Sequence, residues 1–175
     1  MAVDYTVIQE VRQRFGDSPQ DSDFEIPVEM EAPFVGYAKE FPFSCPNVDS
    51  SQPAVLHLES LGLSAYYGSK EFPRNTLMIN AKDVPGGLTP GAMGRTYKVA
   101  GTPEDKVVVP DDFIPYWKAH SLLVPADFLD EQNTLYVEAV KWGSSGVDHF
   151  IIDNVVIFFK TRATGPVIGD VGPGG

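Results

Sequence analysis

The chain has 175 residues, 43% of them hydrophobic, a formal net charge of −11 and a single cysteine. This length is enough for one domain that buries its own core without a disulfide or a structural metal. A strongly acidic chain with no run of Lys or Arg disfavours sequence-independent binding to nucleic-acid phosphates, so no nucleic-acid partner is expected, and it also disfavours an anionic membrane surface. No apolar stretch reaches the length of a membrane-spanning helix.

The first sixteen residues carry two competing patterns. Apolar residues recur at helical spacing between Val7 and Phe15, and Gly16 would end such a helix. This pattern favours a short helix or arm that lies outside the main domain. Val3, Tyr5 and Val7 instead alternate with polar residues, as in a strand, which is the alternative.

Short apolar runs separated by turn residues fill most of the remaining chain. The 16 glycines and 15 prolines together make up about 18% of the 175 residues. In an average protein these two residues make up roughly 12%. The predicted strands are residues 24–31, 54–59, 75–80, 121–124, 133–140 and 150–159. Residues 34–46 are predicted to be extended but irregular, because prolines interrupt them.

The last predicted strand, Phe150 to Phe159, is apolar on both faces apart from Asp153 and Asn154. This composition predicts a central strand packed on two sides. The Asp-Asn pair indicates either a β-bulge or a pair of side chains that cap the backbone inside the sheet.

Taken together, the runs predict an all-β fold, an antiparallel β-sandwich or jelly roll. We expect three segments: an N-terminal arm (1–23), the sandwich domain (24–162) and a flexible C-terminal tail (163–175). The tail is rich in Gly and Pro and has too few apolar residues to order itself.

Three short segments resemble the galactose-binding-like jelly roll, such as the non-catalytic sugar-binding domain of family 2 glycoside hydrolases. They are Leu77-Met-Ile-Asn80-Ala-Lys-Asp-Val84, Ser121-Leu-Leu-Val-Pro125 with Asn133-Thr-Leu-Tyr-Val-Glu138, and Asp148-His-Phe-Ile-Ile-Asp-Asn-Val155. The resemblance covers the second half of the chain, and Ala81 stands where that family usually has glycine. It implies a jelly-roll fold and a structural calcium ion (Ca²⁺) held by loop carboxylates. Asp148 and Asp153 are the positions that it indicates as metal ligands.

No catalytic constellation is evident, so the chain is not expected to be an enzyme. His57, His120 and His149 lack the close spacing of a zinc site. No nucleophile stands beside a recognisable base. Cys45 lies among aromatic residues and a proline, which is typical of a buried, unreactive thiol.

Aromatic side chains in or next to predicted loops are the candidates for ligand contact, because flat apolar rings stack on sugar rings. They are Tyr66, Tyr67, Tyr97, Trp117 and Trp142. Trp142, beside a Gly-Ser-Ser-Gly hairpin loop and Asp148, makes the best cluster.

Two functions follow as hypotheses. The first is a non-enzymatic structural module that forms a homo-oligomer within a larger particle or fibre, held there by its two terminal segments. The second is a carbohydrate-binding module supported by calcium, with a glycan as partner. The N-terminus carries no signal-peptide pattern, which predicts synthesis in the cytoplasm, with release as part of a surface particle still open.

Overall fold

The computed structural model describes residues 2–18, 32–63, 75–88, 117–142 and 146–162, with Trp142 and Gly146 described by their backbone alone. No helix occurs within these ranges. The predicted strand at 24–31 and the tail at 163–175 lie outside them, as does the boundary expected at residue 23. The three-segment division therefore stays a prediction.

Eleven strands make up the described structure, all of them paired antiparallel. In chain order they are β1 (Ala2–Gln9), β2 (Gln13–Phe15), β3 (Ala38–Ser44), β4 (Ala54–Leu61), β5 (Thr76–Ile79), β6 (Lys82–Asp83), β7 (Lys118–Val124), β8 (Gln132–Glu138), β9 (Lys141–Trp142), β10 (Gly146–Val147) and β11 (Phe150–Thr161). They form an all-β sandwich of two packed sheets, and β9 and β10 form a small hairpin beside it. The sequence prediction of an antiparallel sandwich is confirmed.

The larger sheet has the strand order β1-β11-β4-β7, with β2 also paired to β11. The short helix favoured for the N-terminal residues is wrong, because Ala2 to Val7 pair in register with Thr161 to Val156 of β11. The strand alternation of Val3, Tyr5 and Val7 is the pattern that the chain follows. The helical spacing between Val7 and Phe15 is coincidental, because Val7 belongs to β1 and Phe15 belongs to β2.

The smaller sheet has the order β3-β8-β5-β6. Residues 38–44 form a regular strand, so the expectation of an irregular segment is wrong there. Pro42 is tolerated because β3 is an edge strand, where a missing backbone donor leaves no ladder bond unmade. The β5–β6 turn consists of Asn80 and Ala81, which have positive φ angles of 51° and 61°. This is the geometry of a two-residue hairpin turn, which usually prefers glycine at its second position.

The core lies between the two sheets and is made of aliphatic and aromatic side chains. Its fully buried members include Phe15, Leu56, Leu58, Ile79, Leu135, Phe150, Ile152, Ile157 and Phe159. The rings of Phe15 and Phe150 stack with their centroids 5.0 Å apart. Because alternate residues of β11 point into this core, the remaining ones face outward and determine the chemistry of the outer face.

A β-bulge interrupts β11 at the Asp-Asn pair that the sequence indicated. Asp153 stands opposite Glu59, and Val156 stands opposite His57. Two residues of β11, 154 and 155, therefore face the single residue 58 of β4. Asn154 has a φ of 50°, a left-handed conformation that asparagine tolerates better than most residues. The bulge returns Val155 to the core while Asp153 stays on the outer face.

Candidate functional site

Four apolar side chains form a continuous row across the outer face of the larger sheet. Tyr5 stands opposite Phe158, Phe158 opposite Val55, and Val55 opposite Leu123, so that the row crosses β1, β11, β4 and β7. Directly opposed residues of neighbouring strands project to the same face with Cβ atoms about 5 Å apart. All four are exposed, from 39% for Val55 to 63% for Leu123. We call these four residues the apolar row.

The exposed apolar surface continues along β1 on both sides of the row. Val3 is 71% exposed and Val7 is 40% exposed. Of the eight large hydrophobic side chains that are exposed in the described residues, six therefore lie on this one face. The other two are Val11 and Tyr37. With residue surfaces on the order of 150–250 Å², the six expose about 600 Å², the upper end of what a monomer normally shows.

The part of the outer face around the apolar row is also poor in negative charge. The chain has 24 Asp and Glu residues. Yet among the described strand residues none of them occupies the outward positions of the apolar row or of the pairs beside it. Those positions are taken by Lys160, Val156, His57 and Ser121. The Nδ1 atom of His57 lies 3.2 Å from the hydroxyl oxygen of Ser121, so the polar groups here bond to each other.

The opposite end of the outer face is charged, and it brings two predicted site residues together. Arg12 donates a hydrogen bond from Nε to the Oδ2 atom of Asp153 at 2.9 Å, and its guanidinium carbon lies 5.2 Å from the centre of the Trp117 ring. Trp117 also packs against Leu61 and Ile151, which are completely buried beneath it. Trp117 is half-buried, so the cluster presents an aromatic ring edged by a paired cation.

Asp153 also holds the bulge in shape. Its Oδ1 atom accepts a hydrogen bond of 2.9 Å from the backbone N–H of Asn154. The Asn154 amide in turn donates to a carboxylate oxygen of Glu59 at 2.9 Å. The sequence interpretation of this pair as a bulge with backbone capping is confirmed, and the carboxylate of Asp153 is engaged by both Arg12 and the backbone.

Asp148 lies in a different environment, completely buried at the approach to β11. Its Oδ2 atom accepts a hydrogen bond of 2.5 Å from the amide of Asn75, and its backbone N–H donates to the Val140 carbonyl at 2.9 Å. Asn75 also accepts a bond from the Val140 N–H at 2.7 Å. These bonds tie the start of β11 to the ends of β5 and β8, a structural linkage between the sheets.

Within the described residues, no group of three or more His, Cys, Asp or Glu side chains is arranged to hold a metal ion. Asp148 bonds to the Asn75 amide, whereas Asp153 bonds to Arg12 and to the backbone of Asn154. The calcium prediction stays a prediction, because loop residues that would complete such a site lie outside the described ranges.

Two buried titratable side chains, Cys45 and His120, are held in unreactive forms. Burial, with a smaller effect of Asp4, raises the pKa of the Cys45 thiol to about 12, so the thiolate is not formed at neutral pH. Burial lowers the pKa of His120 to about 4, with smaller effects of Lys118 and His57. The Nε2 atom of His120 lies 2.7 Å from the Ser60 hydroxyl. A neutral, buried imidazole without access to a substrate indicates a structural hydrogen bond.

The side chains of the remaining predicted aromatic residues are not among those that the structure describes. Tyr66, Tyr67 and Tyr97 lie outside the described residues. Trp142 ends β9, and its backbone pairs with Gly146 of β10, which confirms the predicted hairpin connection. Of the predicted ligand-contact residues, Trp117 alone has its side chain within the described structure, where it is half-buried.

Comparisons with protein-family models, with curated protein sequences and with solved structures found no match to this chain. Among the described residues there is no helix with the length and hydropathy needed to cross a membrane. The candidate site therefore depends on the geometry of the chain itself.

Sequence reasoning missed two features of the outer face, the role of Arg12 and the apolar row. Arg12 meets Asp153 across 141 residues of sequence, and no local pattern links them. The sequence does contain part of the signal for the exposed apolar surface. Val3, Tyr5 and Val7 alternate along one strand, and the hydrophobic Phe158 stands at an outward position of β11. Only the pairing of β1 with β11 shows that these residues share one face.

Proposed function

We propose that this protein is a non-enzymatic structural module, a β-sandwich subunit that forms a homo-oligomer within a larger assembly. The observation that supports this best is the outer face of the larger sheet, where six exposed hydrophobic side chains are gathered. A contiguous apolar patch of this size marks an interaction surface more often than it marks free surface. The unreactive states of Cys45 and His120 favour the same class of function.

The proposal is tested by the mass of the full chain in solution. Size-exclusion chromatography with light scattering across a range of concentrations is expected to show a defined oligomer that dissociates on dilution. A monomer at every concentration, up to the solubility limit, would overturn the proposal. Repeating the measurement at high salt is a useful control, because contacts driven by apolar surface persist when charges are screened.

A second candidate function, carbohydrate binding, is favoured by the cluster of Trp117, Arg12 and Asp153. An aromatic ring beside paired charged groups provides both a stacking surface and hydrogen-bonding partners for sugar hydroxyls. The resemblance of the second half of the chain to galactose-binding-like jelly rolls supports the same candidate, with or without calcium. The two functions are compatible, because the cluster and the apolar row occupy different ends of one face.

A glycan array tests the second candidate. Binding that is lost in Trp117→Ala but kept in Tyr37→Ala would support it. Tyr37 is a suitable control because it is an exposed aromatic residue, at 47%, whose ring lies against Lys141 of β9. No binding by the native chain, with calcium and without it, would exclude this candidate.

A further inference from the structure

We infer that the partner of the outer face is a second copy of this chain, packed sheet against sheet about a two-fold axis that runs along the apolar row. This inference rests on the proposed function and deepens it, because it names the surface, the partner and the orientation. The four residues that would meet at the axis are Tyr5, Phe158, Val55 and Leu123.

The area of the face fits a second copy. Six exposed side chains contribute about 600 Å² from one subunit. A second copy contributes the same surface, so the pair buries about 1,200 Å², which exceeds the roughly 1,000 Å² expected of a specific interface. An isologous contact also supplies matching apolar surface without requiring another protein of complementary shape.

The charge distribution favours the same partner. Two chains with a net charge of −11 each repel one another at long range. The outward positions around the row hold Lys160 and His57 but no carboxylate among the described strand residues. Depletion of charge at the centre of a contact is the compositional mark of interfaces. At the apolar row and the pairs beside it, two acidic copies can therefore approach without opposing carboxylates.

The polarity of the face selects the orientation. Glu59 and Asp153 lie towards one end of the strands, and the apolar row lies towards the other. At this end Asp153 is paired with Arg12, so Glu59 supplies the remaining negative charge. A two-fold axis parallel to the strands would place the two Glu59 ends directly opposite each other. An axis along the row reverses the strand direction of the second copy, so the two Glu59 ends lie on opposite sides of the contact. Aligned sheets pack about 10 Å apart, which leaves room for the row side chains to interdigitate.

The surface is tested by the double substitution Leu123→Thr/Phe158→Thr in the full chain. Threonine keeps the β-branched shape that strands favour while removing apolar contact area. We expect the dissociation constant of the oligomer to rise by at least about 100-fold. Circular dichroism and thermal unfolding of the variant verify that the sandwich still forms. The control is Tyr37→Thr, which removes exposed aromatic surface elsewhere and is expected to leave the dissociation constant unchanged.

The orientation is tested by Leu123→Cys and a short bis-maleimide reagent. The native Cys45 is completely buried with a raised pKa, so it does not compete for the reagent. With the axis along the row, Leu123 lies over its own counterpart, and the single variant is expected to cross-link efficiently. With the axis parallel to the strands, Leu123 lies over Tyr5 of the second copy instead. The two Leu123 residues are then three strand spacings, or about 14 Å, apart. Cross-linking would then require a mixture of Leu123→Cys and Tyr5→Cys chains.

Each outcome separates the inference from the proposed function. An oligomer that survives the double substitution, or that the control weakens equally, overturns the inference but leaves an assembling protein. An oligomer lost in the double variant, with cross-linking only in the mixture, overturns the orientation. A wild-type monomer overturns both. Loss of the oligomer in the double variant alone, with self cross-linking of Leu123→Cys, supports the inference as stated.

Discussion

The ring of Tyr5 lies 6.1 Å from the ring of Phe158, at an interplanar angle of 40°, on the outer face of the larger sheet. Tyr5 belongs to the first strand of the chain and Phe158 to the last, so this contact joins the two ends of the described structure. Tilted aromatic pairs at this separation are favourable. The contact lies beside backbone pairing that holds β1 to β11 over six consecutive residues, Ala2 to Val7.

We predict that Tyr5→Ser lowers the free energy of unfolding by about 1 kcal/mol, because it removes this cross-strand aromatic pair. Tyr5→Phe keeps the ring and is expected to leave stability nearly unchanged. Urea denaturation of both variants at one fixed protein concentration provides the measurement. Equal losses in the two variants would show that the hydroxyl, and not the ring, carries the effect.

A second prediction concerns the β5–β6 turn. Ala81 has a φ of 61°, which costs an alanine about 1–2 kcal/mol relative to its preferred conformations. Glycine removes that cost but loses more entropy on folding, by about 0.4–1 kcal/mol. We therefore expect Ala81→Gly to raise the free energy of unfolding by about 0.5–1 kcal/mol, measured by urea denaturation. A matched change at Ala119, an exposed strand residue, is expected to destabilise instead. If Ala81→Gly also destabilises, the turn geometry is not as described.

The buried histidine makes a prediction about pH. In the folded chain the pKa of His120 is lowered to about 4, while in the unfolded chain it returns to its ordinary value of 6.5. Between these values the unfolded state binds a proton that the folded state does not. The contribution of neutral His120 to the free energy of unfolding is therefore fully present above about pH 6.5. It is lost as the pH falls from about 6.5 to about 4, by up to about 1.4 kcal/mol per pH unit.

Replacing His120 by Gln removes the titration while keeping a side chain that can bond to the Ser60 hydroxyl. We expect the variant to lose less stability than the native chain between about pH 7 and pH 5. The measurement is the free energy of unfolding of both proteins at each pH. Identical pH profiles would contradict the assignment of a neutral, buried His120.

A fourth prediction concerns the close approach of Gly16 to His149. A Cβ atom at Gly16 would lie 2.5 Å from the Nδ1 atom of His149, much closer than van der Waals contact allows. The imidazole cannot easily retreat, because it is 4% exposed and its Nε2 atom is 2.9 Å from an Asp17 carboxylate oxygen.

We expect Gly16→Ala to lower the free energy of unfolding by about 1–3 kcal/mol, the usual range for overpacking. In the double variant Gly16→Ala/His149→Ala the clash is absent, so the total loss is expected to be smaller than the sum of the two single losses. A double-mutant cycle measured by thermal or urea unfolding tests this. Strict additivity would contradict the close contact.

The sequence predicted the strands well where the signal is local. Short apolar runs between turn residues identified β4, β5, β7 and β8, and a longer apolar run identified β11. The Asp153-Asn154 pair indicated the bulge, because aspartate and asparagine bond readily to nearby backbone groups. Each of these features depends on residues within one strand or one turn.

The features that the sequence did not predict depend on pairing between distant segments. The first residues fit a helix or a strand equally well until β11 is available as a pairing partner. The role of Arg12 depends on its contacts with Asp153 and Trp117. The fold brings these three residues together from three separate parts of the chain. The apolar row likewise becomes visible only when four strands are placed in register.

We propose that the outer face of the larger sheet holds two copies of this chain together. The decisive measurement is light scattering of the native chain and of Leu123→Thr/Phe158→Thr at matched concentrations. We expect a native oligomer, and a folded monomer for the double variant at concentrations where the native chain is associated. A native monomer, or a double variant that associates as tightly as the native chain, would contradict it.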